Sequence, residues 1–247
     1  MEVPEHRIAR AVAEEAGDLL LELRKEFVGD PDALRAEGDR RSHHFIVGSL
    51  HERAPGDPVL SEEGVADAGR LASRRVWIVD PLDGTREFGE LERDDWAVHV
   101  ALVVDGTPLA GAVALPARRL TLSTQTPAPV RSALAGAPRL VVSRTRPPAL
   151  ASLLADELGG ELVPMGSAGA KAMAVVLGEA DVYAHSGGQY EWDSAAPVAV
   201  ALAAGLHASR LDGSPLHYNE ADPWLPDLLI CRPELAHEVL AVVAAHS

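Results

Sequence analysis

The chain has a single cysteine, Cys231, among 247 residues, so no disulfide can form within it and a reducing cytoplasm is the expected compartment. Cys231 falls in Leu228-Leu229-Ile230-Cys231, a run that reads as a buried strand where a thiol is inert filling. Lysine is nearly missing: Lys25 and Lys171 are the only two, and 22 basic residues face 37 acidic ones, for a net charge of −15. Such a surface has no basic stripe to neutralise a nucleic-acid backbone, which argues against nucleic acid as a partner. It also repels phosphate esters unless bound cations reverse the local field. No apolar run approaches the ~18–20 residues of a bilayer span, so no membrane association is expected. Met1-Glu2-Val3-Pro4-Glu5 lacks the basic and apolar regions of an export signal. There is no G-x-S-x-G elbow and no dinucleotide fingerprint. Gly166-Ser167-Ala168-Gly169-Ala170-Lys171 lacks P-loop spacing, and reads instead as a helix start whose small residues let a ligand approach closely.

What is present is a large apolar fraction, 47%, enough for a sizeable core in one domain or in two halves sharing a cleft. Ile8, Val12, Leu19, Leu23 and Phe27 recur at helical spacing, predicting a helix over 4–28 that ends at Gly29-Asp30-Pro31. A second helix is expected from Asp39, as its N-cap, through Phe45, Ile46 and Leu50 to Arg53. Trp96, Val98, Val100 and Leu102 alternate with Ala97, His99 and Ala101, a period-2 strand turned back at Asp105-Gly106 into a second over 108–115, with a third near 119–124. Beyond the Pro- and Ala-rich segment 126–138, strands (140–143, 161–164, 180–184) alternate with helices (148–158, 167–177, 193–204), and a last strand and helix follow 227. Meander first and alternation later predict an α+β half over 1–130 joined to an α/β half over 131–247, with the site in the cleft between them.

The most informative stretch is Val76-Trp77-Ile78-Val79-Asp80-Pro81-Leu82-Asp83-Gly84-Thr85. An apolar strand ends in two carboxylates three residues apart, then a Gly-Thr able to open a helix. Two carboxylates converging there oppose each other's ionisation unless a cation lies between them. Mg²⁺ fits best: the ligands are hard oxygens, and no Cys or His stands nearby in sequence to recruit zinc. Pro81 leaves the Leu82 carbonyl well placed as a further ligand. Upstream, Glu62 and Glu63 sit side by side on an extended segment, so one should face the site and the other solvent. Downstream, Asp193 precedes an Ala-rich helix. Each acid has a plainer local reading: Asp39, Asp83 and Asp193 as helix caps, Glu62-Glu63 as a solvated run. Thr85 can hold a water or cap a helix. Those readings leave unexplained why five or six acids stand at element termini able to face one cleft. Together they point to metal-dependent phosphate chemistry.

Ser61-Glu62-Glu63, the Trp77–Thr85 motif and Trp192-Asp193-Ser194-Ala195-Ala196 resemble the inositol monophosphatase superfamily of metal-dependent, lithium-sensitive phosphatases. The resemblance implies a layered α-β-α-β-α sugar-phosphatase fold. Gly84-Thr85-Arg86-Glu87-Phe88 resembles the bisphosphate nucleotidases within it, and Gly166-Ser167-Ala168-Gly169-Ala170-Lys171 with Gly187-Gly188-Gln189-Tyr190-Glu191-Trp192-Asp193 is similar to their CysQ type. That branch implies removal of the 3′-phosphate from adenosine 3′,5′-bisphosphate, and from 3′-phosphoadenylyl sulfate, in sulfur assimilation. The alternative substrates are inositol 1-phosphate and fructose 1,6-bisphosphate, which the same metal site would serve. By this resemblance Glu62, Asp80 and the Leu82 carbonyl hold one Mg²⁺; Asp80, Asp83 and Asp193 hold a second; Glu62 holds a third. Glu62 and Thr85 activate the attacking water with support from Asp39, and the Gly84 and Thr85 N–H groups bind phosphate. Ser167, Lys171 and Asp193 belong to the substrate site, while Gln189, Tyr190 and the arginines of 139–146 are candidates for the adenine or the 5′-phosphate. Ala36-Glu37-Gly38 before Asp39 departs from the threonine-rich lead-in of that family. Homodimers are usual in it, although no apolar seam in the sequence marks an interface.

Overall fold

The computed structural model describes residues 4–65, 68–127 and 136–246. Helix α1 (Pro4–Glu26) buries Ala9, Val12, Ala13, Ala16, Leu20 and Leu23, one stripe at three- and four-residue spacing. Helix α2 (Pro31–Arg53) starts well before the expected Asp39. Its N-cap is Asp30, whose carboxylate accepts from the Ala33 N–H at 2.9 Å. Pro31 takes the first helical position, where a missing N–H costs nothing. The segment read as the end of one helix is therefore also the start of the next, and Asp39 lies within α2 rather than capping it.

The first sheet runs in chain order: β1 (Val59–Ser61), β2 (Arg75–Asp83), β3 (Ala97–Val104), β4 (Thr107–Leu115) and β5 (Leu120–Ser123). β1 and β2 are parallel and the other pairs antiparallel. Asp105 and Gly106, both at positive φ, make the tight turn between β3 and β4. A short helix, α3 (Thr85–Gly89), follows β2.

The rest alternates: β6 (Arg139–Ser143), α4 (Ala149–Leu158), β7 (Glu161–Met165), α5 (Ala168–Val176), β8 (Val182–Tyr190), α6 (Glu191–Ala203), β9 (His207–Ser209), β10 (Trp224–Cys231) and α7 (Pro233–Ala245). The order is β7-β6-β8-β10-β9, with the first three strands parallel and β10 antiparallel to both its neighbours. β8 continues to Tyr190, past the expected end at 184, because Gly187 and Gly188 adopt positive φ and let the strand carry on to α6. Of the boundary segment 126–138, residues 128–135 lie outside those described.

Three cores stack these elements. α1 and α2 cover the outer face of the first sheet, α5 and α6 fill the space between the sheets, and α4 and α7 cover the far face of the second. This is the layered α-β-α-β-α order. It explains why β3, despite its alternating sequence, is buried on both faces: the residues opposite the valines face α5 and α6. Cys231 is fully buried in β10, where burial and Glu234 push its thiol up to about 12. No helix among the described residues is long and apolar enough to cross a membrane.

Candidate metal and phosphate site

Residues three apart on a regular strand point to opposite faces, so Asp80 and Asp83 should diverge. They converge because the β2–β3 register slips between them. Asp80 stands opposite His99 and Asp83 opposite Ala97, so β2 spends three residues where β3 spends two. This bulge turns the strand end inward. Asp80 also folds back on its own chain and accepts from the Leu82 N–H at 3.0 Å, while Ser42 on α2 ties down the Pro81 carbonyl at 2.6 Å. The Leu82 carbonyl accepts the Thr85 hydroxyl at 3.1 Å and keeps its second lone pair.

Asp193 joins from the second half. It sits in the first turn of α6 and accepts from the Tyr190 N–H at 2.6 Å. It thus serves the helix terminus and the site together. Carboxylate oxygens of Asp80, Asp83 and Asp193 all lie within 4.8 Å of one another. Glu62, in the turn after β1, is exposed as a residue, but its carboxyl shares a hydrogen bond with Asp80. Glu63 is exposed and acts on the site only through its charge, which bears on Asp39. Asp39, from mid-α2, reaches Thr85 Oγ1 at 3.4 Å.

The carboxyls do not ionise alike. Burial, then the charges of Glu62 and Asp83, hold Asp80 well above the usual carboxylate range. Burial and Asp193 push Glu62 up to about 7, and burial and Glu63 push Asp39 to about 7. Asp193, buried beside Asp83, rises to about 6. Protons thus neutralise part of a cluster that hard cations would otherwise neutralise, and the oxygen-only donor set fits such cations.

Asp83 is the exception. Burial opposes its charge, but His99, Ser167 and Lys171 outweigh it and hold the carboxyl below its usual range. The Ser167 hydroxyl donates to it, and so do the Ala168 and Gly169 N–H groups at 3.0 and 2.6 Å. Asp83, from the first sheet, therefore caps α5 of the second half and takes the favourable end of its dipole. His99 is fully buried, with Nε2 3.1 Å from Asp83 and Nδ1 3.0 Å from the Trp192 carbonyl. Burial alone would keep the imidazole neutral, yet the Asp83 charge raises its pKa. Gly169 makes the approach feasible, since a Cβ there would lie 2.0 Å from His99 Nε2.

Lys171, buried in α5, donates to the Gly166 and Ser167 carbonyls at 3.2 and 2.5 Å. Ser167 and Lys171 both border the cleft, but much of their hydrogen bonding goes to building it. The cleft, about 460 Å³, runs from Asp83, Gly84, Thr85 and Asp193 past Arg146 to Tyr190. Of the candidate arginines, Arg139 is turned away to Asp181 at 3.0 Å. Arg144 binds Glu87 of α3 at 3.3 Å and Asp95 at 2.5 Å, and Asp95 also accepts from the Gly166 N–H at 2.6 Å. His99 was not legible as a site residue, and Arg144, a candidate for the adenine or the 5′-phosphate, is instead engaged by Glu87 and Asp95, a pairing the sequence did not show. The one available signal was a histidine set among valines and alanines in a strand.

The chain matches the inositol monophosphatase family over residues 4–246. It is 52% identical over 239 residues to a 3′-phosphoadenosine 5′-phosphate phosphatase of Mycobacterium bovis, covering 93% of this chain and 90% of that one. It is 33% identical over 199 residues to the 3′(2′),5′-bisphosphate nucleotidase CysQ of Escherichia coli strain K12, covering 76% of this chain and 80% of that one. Among solved structures it is similar to CysQ of Bacteroides thetaiotaomicron, with a TM-score of 0.77 at 28% identity, covering 92% of this chain and 96% of that one.

Proposed function

The chain belongs to the inositol monophosphatase family, and we propose that within it this protein is a Mg²⁺-dependent phosphatase that removes the 3′-phosphate of adenosine 3′,5′-bisphosphate. The observation that carries this reading is the convergence of Asp80 with Asp83 and Asp193, two residues that line the cleft, in a chain half identical to phosphatases named for that nucleotide. 3′-Phosphoadenylyl sulfate carries the same 3′-phosphate and is a second substrate on this reading, which places the protein in the cytoplasm and in sulfur assimilation.

Glu62, Asp80, Asp83, Asp193 and the Leu82 carbonyl are the ligands for two to three Mg²⁺ ions. When bound, the ions supply Lewis-acid chemistry: a more acidic water, neutralised phosphoryl oxygens and a stabilised leaving alkoxide. The protein's own part is positioning and proton handling. Thr85 has one hydroxyl proton, and both groups beside it, Leu82 O and Asp39, are acceptors. Its oxygen lone pairs are therefore free to accept a hydrogen from the attacking water while its own proton turns to Asp39. Asp39, pushed to about 7 by burial and Glu63, is matched to a proton at neutral pH. Glu62, hydrogen-bonded to Asp80, would help orient the same water. The Gly84 and Thr85 N–H groups bind the phosphoryl oxygens, with Lys171 adding positive charge behind them. Arg146 borders the cleft, forms no ion pair among the described residues, and is the candidate for the 5′-phosphate.

Phosphate release with Mg²⁺ tests the reading, comparing adenosine 3′,5′-bisphosphate, inositol 1-phosphate and fructose 1,6-bisphosphate, each with and without millimolar Li⁺. A hundredfold preference in kcat/KM for the nucleotide, with loss of activity in Li⁺, is expected. An equal or higher rate on inositol phosphate would move the protein to the sugar-phosphate branch.

A further inference from the structure

Only ten of 247 residues are Phe, Trp or Tyr, yet Tyr190 lines the cleft with Trp192 and Trp224 as its neighbours. Tyr190 stacks on Trp192 with ring centroids 4.8 Å apart and planes 11° from parallel. Trp224, opposite Tyr190 in the β8–β10 pairing, lies against Gly188, where a Cβ would sit 2.5 Å from its Nε1. Tyr190 is 46% exposed and borders the cleft, so one ring face is covered by Trp192 and much of the rest is open. The backbone beneath it is fixed, since its N–H is held by Asp193 and the Trp192 carbonyl by His99. The platform is therefore rigid, and a ligand stacking on it loses little additional protein entropy.

Gln189 supplies a second and independent sign. It also borders the cleft, is 8% exposed, and its Nε2 is a buried donor with no hydrogen-bond partner. Such a group carries a desolvation cost unless a ligand satisfies it. A side-chain amide offers a donor and an acceptor together, the pair that matches the edge of an adenine.

We propose that Tyr190 and Gln189 form the seat of the substrate's purine base: Tyr190 stacks on its face and the Gln189 amide reads its edge. This rests on the nucleotide reading above and adds to it the residues that separate a nucleotide from a base-free phosphate ester.

The experiment uses the full chain with Mg²⁺ and two probes differing only in the base, adenosine 5′-monophosphate and ribose 5-phosphate, as inhibitors of adenosine 3′,5′-bisphosphate hydrolysis. Stacking on an exposed aromatic carries about 1–3 kcal/mol, so Tyr190→Ala is expected to raise KM and the Ki of the adenosine probe by roughly 5- to 150-fold. Its kcat and the Ki of ribose 5-phosphate should stay within twofold, and Tyr190→Phe should behave as wild type. Gln189→Leu is expected to shrink the kcat/KM preference for adenosine over guanosine 3′,5′-bisphosphate. Unchanged KM in Tyr190→Ala, or equal weakening of both probes, overturns the base seat alone. A wild-type enzyme that ignores adenosine 3′,5′-bisphosphate while cleaving inositol 1-phosphate overturns the nucleotide reading, and the seat with it.

Discussion

Arg144→Met tests the energetics of the contact between the two halves. The guanidinium lies between Glu87 and Asp95, at 3.3 and 2.5 Å, with side-chain exposures of 25% for the arginine and 10% for each acid. Methionine keeps the apolar stem and removes the charge, leaving two shielded carboxylates side by side without a cation. Breaking a buried pair costs ~3–5 kcal/mol, and the partly exposed arginine puts this case near the lower figure, about 3 kcal/mol. For a chain of this size each kcal/mol lowers Tm by ~2–4 °C, so a drop of roughly 6–12 °C is expected at pH 7.5. Asp95 sharpens the test. Burial opposes its ionisation, but the Gly166 N–H and Arg144 prevail and lower its pKa. A depressed carboxylate pKa stabilises the fold above the ordinary Asp value and loses that effect as pH falls through the folded value, so the gap between variant and wild type should narrow in acid. Calorimetry across pH measures this. The triple variant Glu87→Gln/Arg144→Met/Asp95→Asn, which removes all three charges, should recover most of the loss. A Tm within 2 °C of wild type for Arg144→Met would refute the argument.

Three further expectations follow from the same geometry. Asp80→Asn and Asp193→Asn should abolish phosphate release, yet raise the metal-free Tm at pH 8, since each replaces a buried carboxyl that resists ionisation; thermal scans without Mg²⁺ check this. The raised pKa values of Asp193 (about 6), Glu62 and Asp39 (about 7) mean stability that is present in acid and lost as pH climbs through those values. The metal-free protein should therefore weaken from pH 5 to pH 8 while the Tm gain from Mg²⁺ grows, because binding displaces more protons at low pH. A Mg²⁺ effect independent of pH would count against the ligand set. Gly169→Ala should destabilise the fold by ~1–3 kcal/mol, because its Cβ would collide with His99, and should lower Mg²⁺ affinity by calorimetric titration; normal affinity would show that His99 has room to move.

The acidic motif was legible in the sequence because its residue types and spacing are themselves the chemistry. α1 was legible for the same local reason, an apolar stripe of fixed period. The start of α2 was misread because Asp-Pro after a glycine marks both an end and a beginning, and only the Ala33 N–H on Asp30 tells which. β1 and β9, three residues each, are too short to show a period. The β2 bulge left no composition signal, since it is a slip of register between two strands. His99 and the Arg144 clasp stayed hidden because their partners lie far away in sequence, Asp83 with Trp192 and Glu87 with Asp95.

Asp83 occupies the end of β2, but its negative charge is maintained from across the cleft by Ser167, two α5 N–H groups and Lys171. The affinity of Asp83 for a cation would thus depend on how closely α5 approaches the end of β2. Any opening wide enough to draw α5 back would free Asp83 to take up a proton and loosen its hold on metal. Drawing α5 away from β2 would thus be expected to weaken metal binding at Asp83 before the two sheets themselves come apart.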